Sequence, residues 1–163
     1  MSERIEKLIK EYPMMVRERN LLANEIANFQ GVTAEEVIES MYCVRLNDTG
    51  IQTKSLSDKT GQIALNYKAK TERINREWFE QLENRLNVLT DELVFFDAAL
   101  MSLSGNLPSL MRDLVVEQMT WDELEEKYHV CRTMIGKYRR KGIRELEVLY
   151  EKHEQLAIAF MLG

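Results

Sequence analysis

The stretch TWDELEEKYHVCRTMIGKYRRKGIREL, residues 120–146, contains the signals that decide how this chain folds. Thr120 lies three residues before Glu123, which is the spacing of a capping box at a helix start. Apolar residues recur at helical spacing on both sides of residues 129–131: Trp121, Leu124, Tyr128, Ile135, Tyr138, Ile143 and Leu146. The pattern predicts a short helix, a three-residue turn and a second helix that begins near Arg132.

The sign of the charge changes abruptly within this stretch. The predicted short helix is acidic, with Asp122, Glu123, Glu125 and Glu126, whereas residues 132–144 contain six basic side chains and no acidic one. A basic helix anchored by one apolar face, after a turn with a buried aliphatic residue (here Val130), is typical of a helix-turn-helix in the DNA major groove.

The sequence therefore predicts binding to double-stranded DNA. The predicted DNA-contacting residues are Arg132, Thr133, Gly136, Lys137, Arg139, Arg140, Lys141 and Arg144. Gly136 would let the helix approach the DNA closely. If about five cations neutralise phosphates, log affinity should fall against log salt with a slope of roughly −4 to −5. A basic helix is also found as a solvated face or as a target of a protein partner.

Composition predicts an all-α fold for the whole chain. Of 163 residues, 45% are hydrophobic and 30% charged, with only seven Gly and two Pro. Apolar residues at helical spacing over 5–29 and 74–103 predict an N-terminal helical hairpin with a long amphipathic helix. A coiled coil between copies satisfies the same pattern, so a homo-oligomer through the long helix is the alternative.

Several local signals divide this region. Pro13 predicts a kink or restart, Gly31 a helix end, and Thr33 with Glu36 a capping box that opens a short helix to about residue 44. Residues 47–61, NDTGIQTKSLSDKTG, are rich in turn-forming residues and predict an exposed loop before a helix from about residue 63.

Gly105 and Pro108 predict a break after the long helix. We therefore expect an N-terminal helical region at 1–104 and a DNA-binding module at 105–163, with Ser109 capping the module's first helix. No apolar run is long enough for a membrane span and the start is no signal peptide, so we expect a cytoplasmic protein without membrane contact. The net charge of −5 argues against non-specific coating of nucleic acid.

Motifs for catalysis, cofactors and metals are missing from the sequence. We find no phosphate loop, nucleophile elbow or zinc spacing, and neither His129 nor His153 has a ligand partner at a suitable distance in sequence. Cys43 and Cys131 are far apart and are expected to be free thiols, with Cys131 as an alternative oxidant sensor at a helix start. We expect no enzyme, no cofactor and no metal.

Residues 120–146 resemble the helix-turn-helix of region 4 of bacterial sigma factors. The matching positions are Thr120, Trp121, Glu123, Leu124, Val130, Thr133 and Ile135. The sequence departs from that pattern at Glu125, His129 and Cys131, where Ala, Gly and Ser are usual. The Glu125 departure bears on how closely the two helices can cross.

The whole chain resembles the ArpU/RinA family of phage and prophage transcriptional regulators. The resemblance consists of a helical N-terminus, the polar loop with Ser57-Asp58-Lys59-Thr60, the long helix and the terminal module. It implies activation of late phage genes in a bacterial host cell, with host RNA polymerase as a partner. Asp122, Glu125 and Glu126 are candidates for that contact.

Two other functions remain open on the sequence. A small terminase subunit of a phage DNA-packaging machine also joins a helix-turn-helix to oligomerising helices, and would form rings. A protein-interaction module would instead use the long helical hairpin, and its function would not depend on the basic helix.

Overall fold

The computed structural model describes residues 2–46 and 56–163, without the side chains of residues 2, 41–46, 56–60, 63 and 64. The helices of these ranges are α1 (Ser2–Ala27), α2 (Ala34–Leu46), α3 (Leu56–Met101), α4 (Leu107–Val115), α5 (Trp121–Tyr128) and α6 (Arg132–Leu162). The described part contains no strand, which confirms the all-α class with one long helix.

The chain divides into two compact units. The first consists of Met1–Asn20 and Val88–Gly163, and the second of Leu21–Asn87. This division differs from the boundary predicted between residues 104 and 105, because α4–α6 share their core with the first turns of α1 and the last turns of α3.

The core of the first unit joins α1, α3, α4 and α6. Ile5 and Leu8 of α1 lie in one buried cluster with Leu93 and Phe96 of α3. Tyr12 also belongs to this cluster, and its hydroxyl donates to Asp97 Oδ1 at 2.8 Å. In this unit the apolar stripes of α1 and α3 therefore pack within the chain, as the hairpin prediction requires.

In the second unit, the Asn75 side chain fixes the loop between α1 and α2 by two hydrogen bonds. The Val32 N–H donates to Asn75 Oδ1 at 2.7 Å, and Asn75 Nδ2 donates back to the Val32 carbonyl at 3.1 Å. Gly31 has φ +72°, and a Cβ there would lie 2.4 Å from Asn75 Oδ1. Gly31 is thus required by the approach of Asn75 and is not the helix cap that we predicted, since α1 ends at Ala27.

The same unit contains the capping box predicted for α2. The Glu36 N–H donates to Thr33 Oγ1 at 3.3 Å and the Thr33 N–H donates to Glu36 Oε2 at 2.8 Å. Phe29 contacts Trp78 and Phe79 edge to face, with ring centroids 5.3 and 5.2 Å apart. Phe29 therefore packs against two aromatic side chains of α3.

Of the kink or restart predicted at Pro13, the restart does not occur, because α1 continues through Pro13. Two other local predictions need correction. α3 begins at Leu56, so 56–61 is helical, while 47–55 lies outside the described residues. Ser and Asp are favoured in turns but also near a helix start, which explains that error. α4 begins at Leu107 after Asn106, so Ser109 lies inside the helix instead of capping it.

Candidate nucleic-acid interface

A buried carboxylate connects α4 to α5. Asp113 of α4 is almost completely buried, and its Oδ2 atom accepts from the Tyr128 hydroxyl and pairs with Lys127 Nζ, both at 2.6 Å. Burial raises the pKa of this carboxyl, but the hydrogen bonds from Lys127 and Tyr128 outweigh burial and hold its pKa below the usual value. The end of α5 is thereby held on α4 by a charged, hydrogen-bonded contact.

The start of α5 is the capping box that the sequence predicts. The Glu123 N–H donates to Thr120 Oγ1 at 3.3 Å, and the Thr120 N–H donates to Glu123 Oε2 at 2.7 Å. The hydrogen bonds from Thr120 also lower the pKa of the Glu123 carboxyl. Leu124 is fully buried on the inner face of the helix. α5 packs on both α4 and α6, so the half-buried Glu125 does not prevent the crossing.

The turn between α5 and α6 has the predicted length. His129 adopts a left-handed conformation (φ 53°, ψ 41°) at the place where the sigma-factor pattern has Gly. Val130 is only half-buried, in contrast to the buried position that we predicted. Cys131 is the exposed N-cap of α6, and its sulfur makes no capping hydrogen bond. The first helical bond of α6 is donated by Met134 to the Cys131 carbonyl at 2.8 Å, so only the N–H groups of Arg132 and Thr133 precede it and point out of the helix end.

One face of α6 is buried and fixes the orientation of the helix. Ile135, Ile143 and Leu146 lie in the core, as the sequence predicts, and Tyr138 is half-buried beside them. Gly142 is also buried, and a Cβ there would lie 2.8 Å from Met111 Sδ of α4. α4 and α6 therefore cross closely at Gly142.

The opposite face of α6 presents polar side chains at spacings of four, three and four. They are Thr133, Lys137, Arg140 and Arg144, and all four are exposed. Arg140 Nε donates to the Gly136 carbonyl at 3.3 Å. Lys137 and Arg144 have no acidic partner among the residues that the structure describes. We call these four residues the outer face of α6.

Arg132 lies at the start of the helix and is held by α5. Its Nη1 atom lies 3.3 Å from Asp122 Oδ1, and its guanidinium carbon lies 5.5 Å from the centre of the Trp121 ring. The ion pair is solvent-exposed, so it adds little stability. Both contacts nevertheless keep the Arg132 cation beside the outer face of α6.

Three other predicted site residues have different surroundings. Gly136 faces α5, where a Cβ would lie 3.7 Å from the Trp121 ring, so it does not provide close access to the helix. Arg139 is half-buried on the core side, with Nη1 4.0 Å from Glu6 Oε1 of α1. Lys141 is exposed and lies 3.9 Å from Glu145 Oε1 on the same helix. The structure thus brings together only part of the predicted set.

Sequence reasoning missed the contacts that support this site. The Asp113 carboxylate and the stacking of Arg132 on Trp121 were not predicted. A single acidic residue inside the apolar segment LMRDLVV (110–116) was the available signal for Asp113, because a buried charge needs a partner. Glu145 was also missed: it accepts from the Ser104 hydroxyl at 2.6 Å and from the Ser104 N–H at 2.8 Å, and so fixes the loop before α4.

The described residues contain neither a metal cluster nor a membrane-spanning helix. Among residues 2–46 and 56–163, no three His, Cys, Asp or Glu side chains come together as a metal site would require. Within the described ranges, every helix is too short or too polar to span a bilayer. Comparison of the chain with protein-family models, with curated proteins and with solved structures found no significant match.

Proposed function

We propose that the chain binds double-stranded DNA through the outer face of α6 and regulates transcription. The observation that carries this proposal is the outer face itself: one threonine and three cations at helical spacing, on the helix that follows a three-residue turn with His129 in the left-handed conformation. Residues 133–144 span about 16 Å along the helix axis, about three turns, which suits a helix lying in the major groove.

The side chains of the outer face suit contacts with base edges and with phosphates. Arg140 and Arg144 can donate two parallel hydrogen bonds to a guanine edge or to a phosphate. Lys137 supplies a point charge for a phosphate, and Thr133 near the helix start can donate to a phosphate or contact a thymine methyl. On DNA, Arg132 can exchange its exposed pair with Asp122 for a phosphate at small cost.

Regulation of transcription is the finer part of the proposal and rests on resemblance. The sigma-region-4 pattern of residues 120–146 and the ArpU/RinA-like order of the chain support an activator of late phage genes that acts with RNA polymerase. The exposed Asp122 and Glu126 of α5 are available beside the basic helix for a protein contact.

A triple substitution tests the DNA-binding proposal. We expect Lys137→Ala, Arg140→Ala and Arg144→Ala together to weaken binding to a mixed-sequence duplex of about 30 base pairs at low salt by about 100-fold. The reason is the loss of three cations at the interface, and fluorescence anisotropy measures it. Because all three side chains are exposed, circular dichroism should show unchanged helix content.

The matched control removes three exposed cations elsewhere in the same unit: Lys7, Lys10 and Arg17. It changes the net charge equally but leaves α6's outer face intact, so we expect at most a few-fold loss of affinity. Equal weakening by both triple variants would contradict the proposal, because only net charge would then matter. Unchanged binding by the outer-face variant would place the DNA on another surface, and no duplex binding by the original chain would favour the protein-interaction alternative.

A further inference from the structure

The end of α6 is apolar on all sides. Residues 155–163, QLAIAFMLG, contain no charged side chain. Their large apolar side chains are mostly exposed: Leu156 71%, Ile158 53%, Phe160 89%, Met161 75% and Leu162 83%. A helix segment that is apolar all round is normally buried, and continuous exposed apolar patches of more than a few hundred Å² usually mark an interaction site.

Packing within the unit stops just before this segment. His153 lies against the Phe95 ring of α3 with centroids 4.1 Å apart, and Glu154 pairs with Arg4 of α1. From Leu156 onward every residue of α6 is exposed. We call residues 156–162 the apolar end of α6.

An apolar groove lies beside the apolar end. It has a volume of about 220 Å³ and runs between α3 and α6 of the first unit. Its lining is mostly apolar, with Phe95 and Ala98 of α3 and Leu149 and Leu156 of α6, and it also includes Lys152 and His153 of α6. Leu156 belongs to both the groove and the apolar end, so the two form one continuous surface.

We propose that this surface binds a second copy of the chain, with the apolar end of each copy lying in the α3–α6 groove of the other. A twofold-symmetric contact of this kind uses the same surface twice and closes after two copies. It surrounds the apolar end with α3 and α6 of the partner copy, which suits a segment that is apolar on every side.

Area and charge both favour a second copy as the occupant. Five side chains at these exposures present on the order of 600 Å² per chain, so two copies reach about 1,200 Å², where stable specific interfaces begin. The chain has a net charge of −5, and an uncharged segment is where two such copies repel each other least. The stripe of α3 is not available for this purpose in the first unit, because Leu93, Phe96 and Leu100 are buried within the chain.

Sedimentation equilibrium over about 1–100 µM tests this proposal without any DNA. We expect a dimer of twice the 19.2 kDa chain mass. Leu156→Glu with Phe160→Glu should weaken the dimer by at least about 100-fold, because four charges enter the apolar contact. The matched control, Leu21→Glu with Leu65→Glu, changes side chains of similar exposure (70% and 81%) and should leave the dimer intact.

Each alternative result overturns the proposal. A monomer at about 100 µM would show that a second copy does not occupy the apolar end. A dimer that resists both Glu substitutions would place the contact elsewhere, and ring-sized assemblies would show a contact that does not close after two copies. If the double variant is poorly folded, the milder variant Phe160→Ala takes its place. It should also weaken the dimer.

Discussion

At the scale of single residues, Asp113 determines how α5 sits on α4. Its carboxylate is buried and receives both Lys127 and Tyr128 from the last turn of α5. A buried carboxylate without these donors would lose far more than one ordinary hydrogen bond, because its charge would remain unsatisfied. The position of α5, and through it the support of Arg132, therefore depends on this residue.

Tyr128→Phe tests this dependence. We expect a loss of about 1–3 kcal/mol in the free energy of unfolding, because Asp113 loses one of its two donors. The pKa of Asp113 is lowered in the folded chain, so its stabilisation is complete above the unfolded value near 4 and is lost as pH falls through the lower folded value. Urea unfolding between about pH 7 and pH 3 should show a weaker acid dependence in the variant than in the original chain.

His129 occupies a backbone conformation that costs energy for a residue with a Cβ. At φ 53° we expect His129→Gly to raise the free energy of unfolding by up to about 1 kcal/mol, since relief of strain exceeds the entropy that glycine adds to the unfolded chain. His129→Val should destabilise, because a β-branched residue tolerates this region least. If thermal unfolding gave the reverse order, strain in the turn would be excluded.

At the scale of elements, two glycines of α6 differ in how closely a neighbouring side chain approaches them. A Cβ at Gly142 would lie 2.8 Å from Met111 Sδ, whereas a Cβ at Gly136 would make an ordinary 3.7 Å contact with Trp121. Met111 is fully buried, so its side chain has little room to move away. The crossing of α4 and α6 therefore depends on Gly142 and not on Gly136.

Substitution of each glycine by alanine measures this difference. Gly142→Ala should lower the free energy of unfolding by about 1–3 kcal/mol through overpacking, partly offset by better helix propensity. Gly136→Ala should be neutral or stabilising by up to about 1 kcal/mol and should retain DNA binding. Chemical denaturation of the two variants provides the comparison, and equal losses would refute the close crossing at Gly142.

At the scale of the whole molecule, the sequence predicted the features that depend only on neighbouring residues. The capping boxes of Thr33 and Thr120, the turn at 129–131 and the break after α3 depend on neighbouring residues and were confirmed. The continuation of α1 through Pro13 and the shared core of α1, α3, α4 and α6 depend on packing between distant segments. Sequence periodicity alone could not determine these features.

The sequence predicts which side chains of the candidate site are basic, but not which of them face solvent. Charge identifies the basic side chains of α6, but charge alone places Arg139 with the exposed cations. Ile135, Arg139, Gly142 and Leu146 follow one another at spacings of four, three and four, which places Arg139 on the buried stripe. Only the buried neighbours establish which stripe faces the core, and they separate Arg139 from Arg140.

The salt dependence of DNA binding shows how many phosphates the outer face of α6 contacts. We would measure log affinity against log salt for the original chain, for the Lys137, Arg140 and Arg144 triple alanine variant, and for the Lys7, Lys10 and Arg17 control. If the outer face of α6 lies against phosphates, the slope should become shallower by roughly 2–3 in the first variant only. Equal slopes for all three proteins, or no duplex binding by the original chain at low salt, would contradict the account.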